Sequence, residues 1–449
     1  MPGHTSRSDR AVALAIALVL LLVYNANGRE IGSYDSQPTK FAARELLRRH
    51  TLALNHVVGA VPGYAERPAF VLSLDGRYRS AYSPVPAALA AAISYPLVKL
   101  RLLDLASPAA PGIIAVTGAS LLTALAVALL YLAARRRVTR ARAVLIAAGL
   151  GVGTGLWPLV SRTLWAHETA IFGMAIAVTA FCATEDRLPP GAAIGTAVGL
   201  ALAGLARAQL APMIVVMLAG LCVRAPRRAA AAAVGIVAVA AAAMMLLYWR
   251  WFGAPLGAQS VLLGTNNALH GTRGWTAWGF AGPAGLLFSP SRGLLIFSPV
   301  VAIAFAGFSD AARASWTSPL RWCALAALAQ FVLYGGYAVW WAGHTYGPRY
   351  MLDLLPVLVP LAAAALARGH FGRLTGLLWS AALAWSIVVS ATGAFCYPQE
   401  QWNTSPEEVD LKHSRLWDWS DPQIARCWRS GPSPQNFELF ALTEKPGTR

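Results

Sequence analysis

The chain has 449 residues, 57% of them hydrophobic and only 13% charged. Soluble domains carry roughly 25% charged residues, so a water-soluble globular protein is excluded. The net charge of +17 could point to nucleic acid, but the arginines sit in short loops between apolar runs, as membrane topology requires, and no nucleic-acid partner is expected.

Apolar runs recur from the N-terminal region to about Phe395. They are rich in Ala, Leu and Val and do not alternate with period two, which argues against a membrane β-barrel. The fold class read from this pattern is all-α, a polytopic helical membrane protein. Arg7 and Arg10 precede the first run, Ala11–Tyr24. It lacks a small-x-small cleavage site and is read as an uncleaved helix. Spanning helices are predicted near 11–27, 111–134, 143–160, 165–184, 190–206, 208–223, 229–252, 294–309, 320–341, 351–367 and 374–395, eleven in all. Each is close to the roughly 17–25 residues that cross ~30 Å of hydrocarbon.

The strongest basic loops are Arg135–Arg142, Arg224–Arg228 and Arg368–Arg373. The positive-inside rule places them in the cytoplasm. Segment 28–80, the turn Ser161–Glu168, Arg207, the loop 253–293, the loop Gly343–Tyr350 and the tail 396–449 then lie outside. This defines a transmembrane domain over 1–395 and a small extracytoplasmic C-terminal cap over 396–449. The scheme allows the apolar stretch 81–103 only a re-entrant or interfacial course, and Pro84, Pro86 and Pro96 favour an interrupted helix there. The competing course is a full crossing that breaks the charge rule at Arg135–Arg142.

The first outer segment places Asp35 just before a predicted helix over 38–49. Phe41, Ala42, Ala43, Leu46 and Leu47 form its apolar side, while Lys40, Arg44 and Arg48 recur every four residues on another, as in a helix lying at headgroup level. Asp35 is either a capping acid or a catalytic one. Further along, the turn Ser161–Glu168 offers Glu168. It is either a helix-start carboxylate favoured by the dipole or a ligand for an acceptor hydroxyl or a metal. Arg207 and Arg292 stand at outer turns, where the charge rule does not call for them. Such arginines either snorkel to lipid headgroups or bind a phosphate through paired hydrogen bonds. The loop 253–293 also carries Asn266, Asn267, His270, Arg273, Trp275 and Trp278. The loop 340–350 brings Trp340, Trp341, His344, Tyr346 and Arg349, and opens the helix of Asp353. Arg349 and Asp353 are four apart, a spacing that pairs them on one helical face. The tryptophans form an aromatic belt, and those at the outer side could also stack on a sugar.

Cys182, Cys222 and Cys323 lie in apolar runs and no CxxC spacing is present, so no zinc site is read. Cys396 and Cys427 could form a disulfide if their region is extracytoplasmic.

The order of these features resembles the GT-C glycosyltransferases, a superfamily that includes protein O-mannosyltransferases and the lipid A aminoarabinose transferase. The resemblance rests on a first helix, an outer segment with Tyr34-Asp35-Ser36 before an amphipathic helix, and the stretch Tyr82-Ser83-Pro84-Val85-Pro86. Phe288–Leu294, Gly343–Tyr350 and Trp417–Gln423 are similar to segments of a bacterial branch of that superfamily. Asp35 is followed by Ser36 where mannosyltransferases often have a second acid, and Ser83 stands where some relatives carry lysine.

The resemblance implies a polyprenyl-phosphate-linked sugar as donor, a lipid, glycan or protein acceptor, and hexosyl or pentosyl transfer at the outer face of the inner (plasma) membrane of the cell envelope. It assigns catalysis to Asp35, and a second acid to Glu168. The expected phosphate ligands are Arg207, Arg292, Arg349 and Lys40, with His344, Tyr346, Glu168 and Asp353 orienting substrate. No cofactor is required by the pattern, and a divalent metal is left open. The alternative is a transporter or flippase for a lipid-linked or anionic substrate, which predicts ionisable residues at mid-membrane and two-half symmetry. Neither stands out in the sequence.

Overall fold

The computed structural model describes residues 6–258, 262–264, 268, 274–275, 279–368 and 373–441. Asn266, Asn267, His270, Arg273 and Trp278 lie outside these residues. The helices in chain order are α1 (Arg7–Asn25), α2 (Gln37–Arg49), α3 (Asn55–Ala60), α4 (Pro84–Lys99), α5 (Ala110–Arg135), α6 (Arg140–Val152), α7 (His167–Phe181), α8 (Pro190–Ala206), α9 (Ala211–Arg224), α10 (Arg227–Phe252), α11 (Ala281–Phe288), α12 (Leu294–Phe297), α13 (Ile303–Arg313), α14 (Pro319–Gly336), α15 (Leu355–Ala367), α16 (Arg373–Cys396) and α17 (Gln423–Ser430). The one sheet among the described residues is a hairpin in the first long loop, pairing Phe70–Leu72 with Tyr78–Ser80. The fold class is all-α.

The charged groups sort the bundle into two ends. At one end the helix termini are tied by arginines. Asp9 of α1 accepts from Arg135 at 3.0 Å and from Arg140. Arg137 meets Glu185 at 2.5 Å, and Arg142 donates to the carbonyl of Leu366. Arg224 donates to the carbonyls of Phe181, Thr184 and Thr317, and Arg368 pairs with Asp310. The opposite end is tied mostly by backbone carbonyls. Arg29 donates to those of Ala394 and Tyr397, Ser83 to that of Leu205, and Ser289 to that of Leu416.

Between these ends run eleven passes among the described residues. They are α1, α5, α6 with residues 153–162, α7, α8, the stretch 208–224, α10, the stretch 281–313, α14, the stretch Arg349–Ala367 and α16. Among the described residues, only Arg7–Asn25, Ala110–Arg135, Arg227–Phe252, Arg349–Ala367 and Arg373–Cys396 are long and apolar enough to cross a bilayer as single helices. Apart from the 18-residue α14, the rest are short, with irregular backbone in place of helix at the end away from the arginines. Such backbone is tolerated at membrane depth where protein buries it. The predicted helix 143–160 thus stops at Val152, and 294–309 breaks into α12, a 3₁₀ turn and α13.

The stretch 81–103 does not run from one end to the other. Ala87, Ala90, Leu103 and Ala110 all belong to one apolar cluster with Ala42, Tyr64 and Phe70 of the first long loop. Both ends of α4 therefore sit at the same end of the bundle, as the charge pattern requires. The helix over 37–49 also forms, but Ala42 and Ala43 are buried in that cluster, so its apolar side covers α4 and α5 rather than lipid.

Candidate active site

The end away from the arginine loops holds two carboxylate–arginine pairs of different character. The first begins at Ser33, whose hydroxyl accepts from the amide of Asp35 and caps the 3₁₀ turn Tyr34–Ser36. Ser36 donates back to the carbonyl of Ser33, and Pro38 then starts α2. This leaves the Asp35 carboxylate 47% exposed. Arg349 Nη1 lies 3.7 Å from Asp35 Oδ2, too far for a hydrogen bond but near enough for attraction. The Tyr82 hydroxyl faces the same carboxylate. The Arg349 guanidinium sits 4.9 Å over the Trp165 ring, a cation–π contact, and its buried Nε has no hydrogen-bond partner.

The second pair is buried. Asp353 is 0% exposed. Its Oδ1 lies 2.7 Å from His167 Nδ1, its Oδ2 accepts from the Tyr334 hydroxyl at 2.5 Å, and Arg207 Nε lies 3.3 Å from Oδ2. A carboxylate only accepts, so His167 Nδ1 carries a proton. Four elements converge here: α7, the break between α8 and α9, α14 and the turn before α15. Close packing of α7 on α8 helps to set the geometry. A Cβ on Gly173 would lie 2.8 Å from the Gly199 carbonyl, and one on Gly199 would lie 2.5 Å from that of Gly173. The Tyr334 and Tyr350 rings stack at 4.9 Å, linking the buried pair to the neighbour of Arg349.

Arg349 and Asp353 do not pair with each other. Residues Arg349–Leu354 form a 3₁₀ helix. With three residues per turn, positions i and i+4 no longer share a face. The α-helical spacing read from the sequence therefore fails at this turn.

Other expected site residues have different work. Arg292 is 1% exposed and spends all its donors on protein. Nε donates to Trp341 O, Nη1 to Ser291 O and Gln423 Oε1, and Nη2 to Gly343 O and Asn403 Oδ1. A guanidinium has five N–H groups, so none is left for a phosphate. Lys40 is held by Glu30 at 2.6 Å, whose other oxygen accepts from Thr163. Tyr346 is 1% exposed, donates to Val389 O, and packs on Phe297 and Tyr397. It belongs to the core. His344 lies 3.3 Å from Asp410 of the C-terminal segment. Glu168 is fully buried at the start of α7, with one oxygen bonded to Thr169 and the other without a partner.

Cys396 and Cys427 form a disulfide with Cα atoms 5.7 Å apart, joining the end of α16 to α17. The grouping of close metal-ligating side chains among the described residues is Cys396, Glu400 and Cys427. The disulfide leaves it no thiolates. Burial holds the Glu400 carboxyl above its usual range.

No protein-family model and no curated protein sequence matches the chain. Solved structures share its fold, among them these two. ArnT from Cupriavidus metallidurans, bound to undecaprenyl phosphate, is 13% identical with a TM-score of 0.52 over 96% of this chain and 76% of its own. The Archaeoglobus fulgidus oligosaccharyltransferase, in complex with Zn and sulfate, is 13% identical with a TM-score of 0.54 over 94% of this chain and 58% of its own. At this identity the likeness is one of fold. The chain therefore spans less than two thirds of the oligosaccharyltransferase's length. Five long apolar helices among the described residues mark a multi-pass membrane protein, and the shared fold agrees. His167, Tyr334 and Trp165 are not site residues in the sequence reading, and Tyr82 enters it only as part of the stretch Tyr82–Pro86. His167 adjoins Glu168 at a helix start, a signal that was readable; Tyr334 lies inside an apolar run and gave none.

Proposed function

We propose that this chain is a glycosyltransferase of the GT-C kind, which transfers a sugar from a polyprenyl-phosphate donor to an acceptor hydroxyl at the outer face of the membrane. The observation that carries the reading is the meeting of half-exposed Asp35 with Arg349 at the end away from the arginine loops. The positive-inside rule puts that end outside, and the Cys396–Cys427 disulfide at the same end suits an extracytoplasmic compartment. Region 396–449 is then an extracytoplasmic cap.

In this mechanism the donor phosphate takes Arg349 from Asp35. The loose 3.7 Å pair is replaced by charge-assisted hydrogen bonds to phosphate oxygens. Asp35, freed from its countercharge, removes the acceptor hydroxyl's proton. The acceptor oxygen bonds to the anomeric carbon as the bond to the phosphate oxygen breaks, its electron pair leaving with polyprenyl phosphate. Direct displacement inverts the anomeric centre. The phosphate gains negative charge as it leaves, so Arg349 and Arg207 hold the transition state more strongly than the ground state. His344, a third exposed, is the group left to orient sugar or acceptor.

The test is mass spectrometry of envelope lipids, glycans and proteins from cells with and without the gene. The expected result is one sugar modification missing. Unchanged glycans overturn the proposal, and a lipid-linked sugar displaced to the wrong leaflet would indicate a flippase instead.

A further inference from the structure

We infer that Asp353 is a positioning residue that acts on the lipid phosphate only through Arg207, by way of a buried quartet of Asp353, Arg207, His167 and Tyr334. This rests on the donor reading above. The side chain cannot touch substrate itself: it is 0% exposed and both oxygens are taken, by His167 at 2.7 Å and by Tyr334 at 2.5 Å with Arg207 at 3.3 Å. A buried carboxylate is costly unless paired and hydrogen-bonded, and here three neighbours meet that requirement.

The partner it holds is not buried to the same degree. The Arg207 side chain is 12% exposed, and its backbone is extended (φ −143°, ψ 99°) where α8 ends and a 3₁₀ turn begins. The chain thus breaks a helix to present one guanidinium. Asp353 holds it by an ion pair at Nε, 3.3 Å from Oδ2, which leaves the other edge of the guanidinium to face an anion. Lysine has no planar fork to be gripped at one edge and offered at the other. His167 fixes Oδ1 and Tyr334 fixes Oδ2, so the carboxylate plane, and with it the guanidinium, has one orientation. The Tyr334–Tyr350 stack joins the quartet to the neighbour of Arg349, the arginine that faces Asp35 at 3.7 Å.

The experiment uses the full chain in nanodiscs, with undecaprenyl phosphate as probe. Wild type, Asp353→Asn, Arg207→Ala and the double variant are titrated with the lipid. Each single variant should bind about tenfold more weakly or worse, as loss of a charge-assisted contact implies, and the double variant no more weakly than Arg207→Ala. Independent effects that multiply in the double variant would overturn the proposal, because a merely structural Asp353 costs the same in both backgrounds. Tyr334→Phe removes one hydrogen bond to the carboxylate and keeps the ring stack. It covers the case in which Asp353→Asn fails to fold, and unaltered binding by folded Tyr334→Phe contradicts the quartet. A second readout needs no lipid: phenylglyoxal labelling of Arg207, followed by mass spectrometry, should rise several-fold in Asp353→Asn or Tyr334→Phe. Unchanged labelling overturns the positioning role. Increased labelling in a protein whose wild type ignores undecaprenyl phosphate upholds the positioning role and removes the donor reading instead.

Discussion

Arg349 and Arg292 look alike in the sequence. Both stand in loops just before apolar helices, at the end away from the basic loops. In the folded chain they are opposites. Arg349 has a half-exposed partner at 3.7 Å and a buried Nε without a hydrogen bond. Arg292 is 1% exposed, with every N–H donating to Trp341, Ser291, Gln423, Gly343 or Asn403. One region is a site with donors to spare; the other is a clasp that binds the C-terminal segment to the bundle. Donor saturation, not position in the chain, separates a ligand-binding arginine from a structural one.

The comparison can be broken from either side. Within the clasp, Cys396→Ser opens a bridge across 31 residues of sequence separation and should lower stability by about 3–4 kcal/mol, read as a fall in Tm. Arg292→Met strands buried acceptors and should cost about 3 kcal/mol. Its check is limited proteolysis, with release of the C-terminal segment expected and lipid-phosphate binding retained by the surviving folded protein. At the site, Arg349→Ala should reverse that signature. Polyprenyl-phosphate affinity falls by about 1.5–3 kcal/mol in a titration, while Tm holds. The smallest effect belongs to Tyr346→Phe, which loses one hydrogen bond to Val389 O. It should cost about 1 kcal/mol of stability and leave transfer unaltered; a loss of transfer would return Tyr346 to the site.

The membrane frame was legible because hydropathy and arginine placement act on whole segments. Eleven passes and a non-crossing α4 followed from those two signals alone. Asp35 was readable as an acid between a first helix and Pro38-Thr39-Lys40. What sequence could not resolve was the partner of each charge. The spacing of Arg349 and Asp353 misled because the turn is 3₁₀ rather than α. Tyr346 and Arg292 looked available because nothing local shows that Val389, Gln423 and Asn403, all at least 43 residues away, fold onto them. His167, Tyr334 and Arg207 meet Asp353 from separate passes, and such a meeting leaves no mark on any one stretch of chain.

The most direct test is to return Asp35→Asn to cells lacking the gene and follow the sugar modification that wild type restores. The substitution keeps the size of a half-exposed side chain, so protein level and Tm should match wild type. Loss of the base should cut transfer by ~10²–10⁴-fold and leave the modification absent or at trace level. Restoration by Asp35→Asn as full as by wild type would contradict the account.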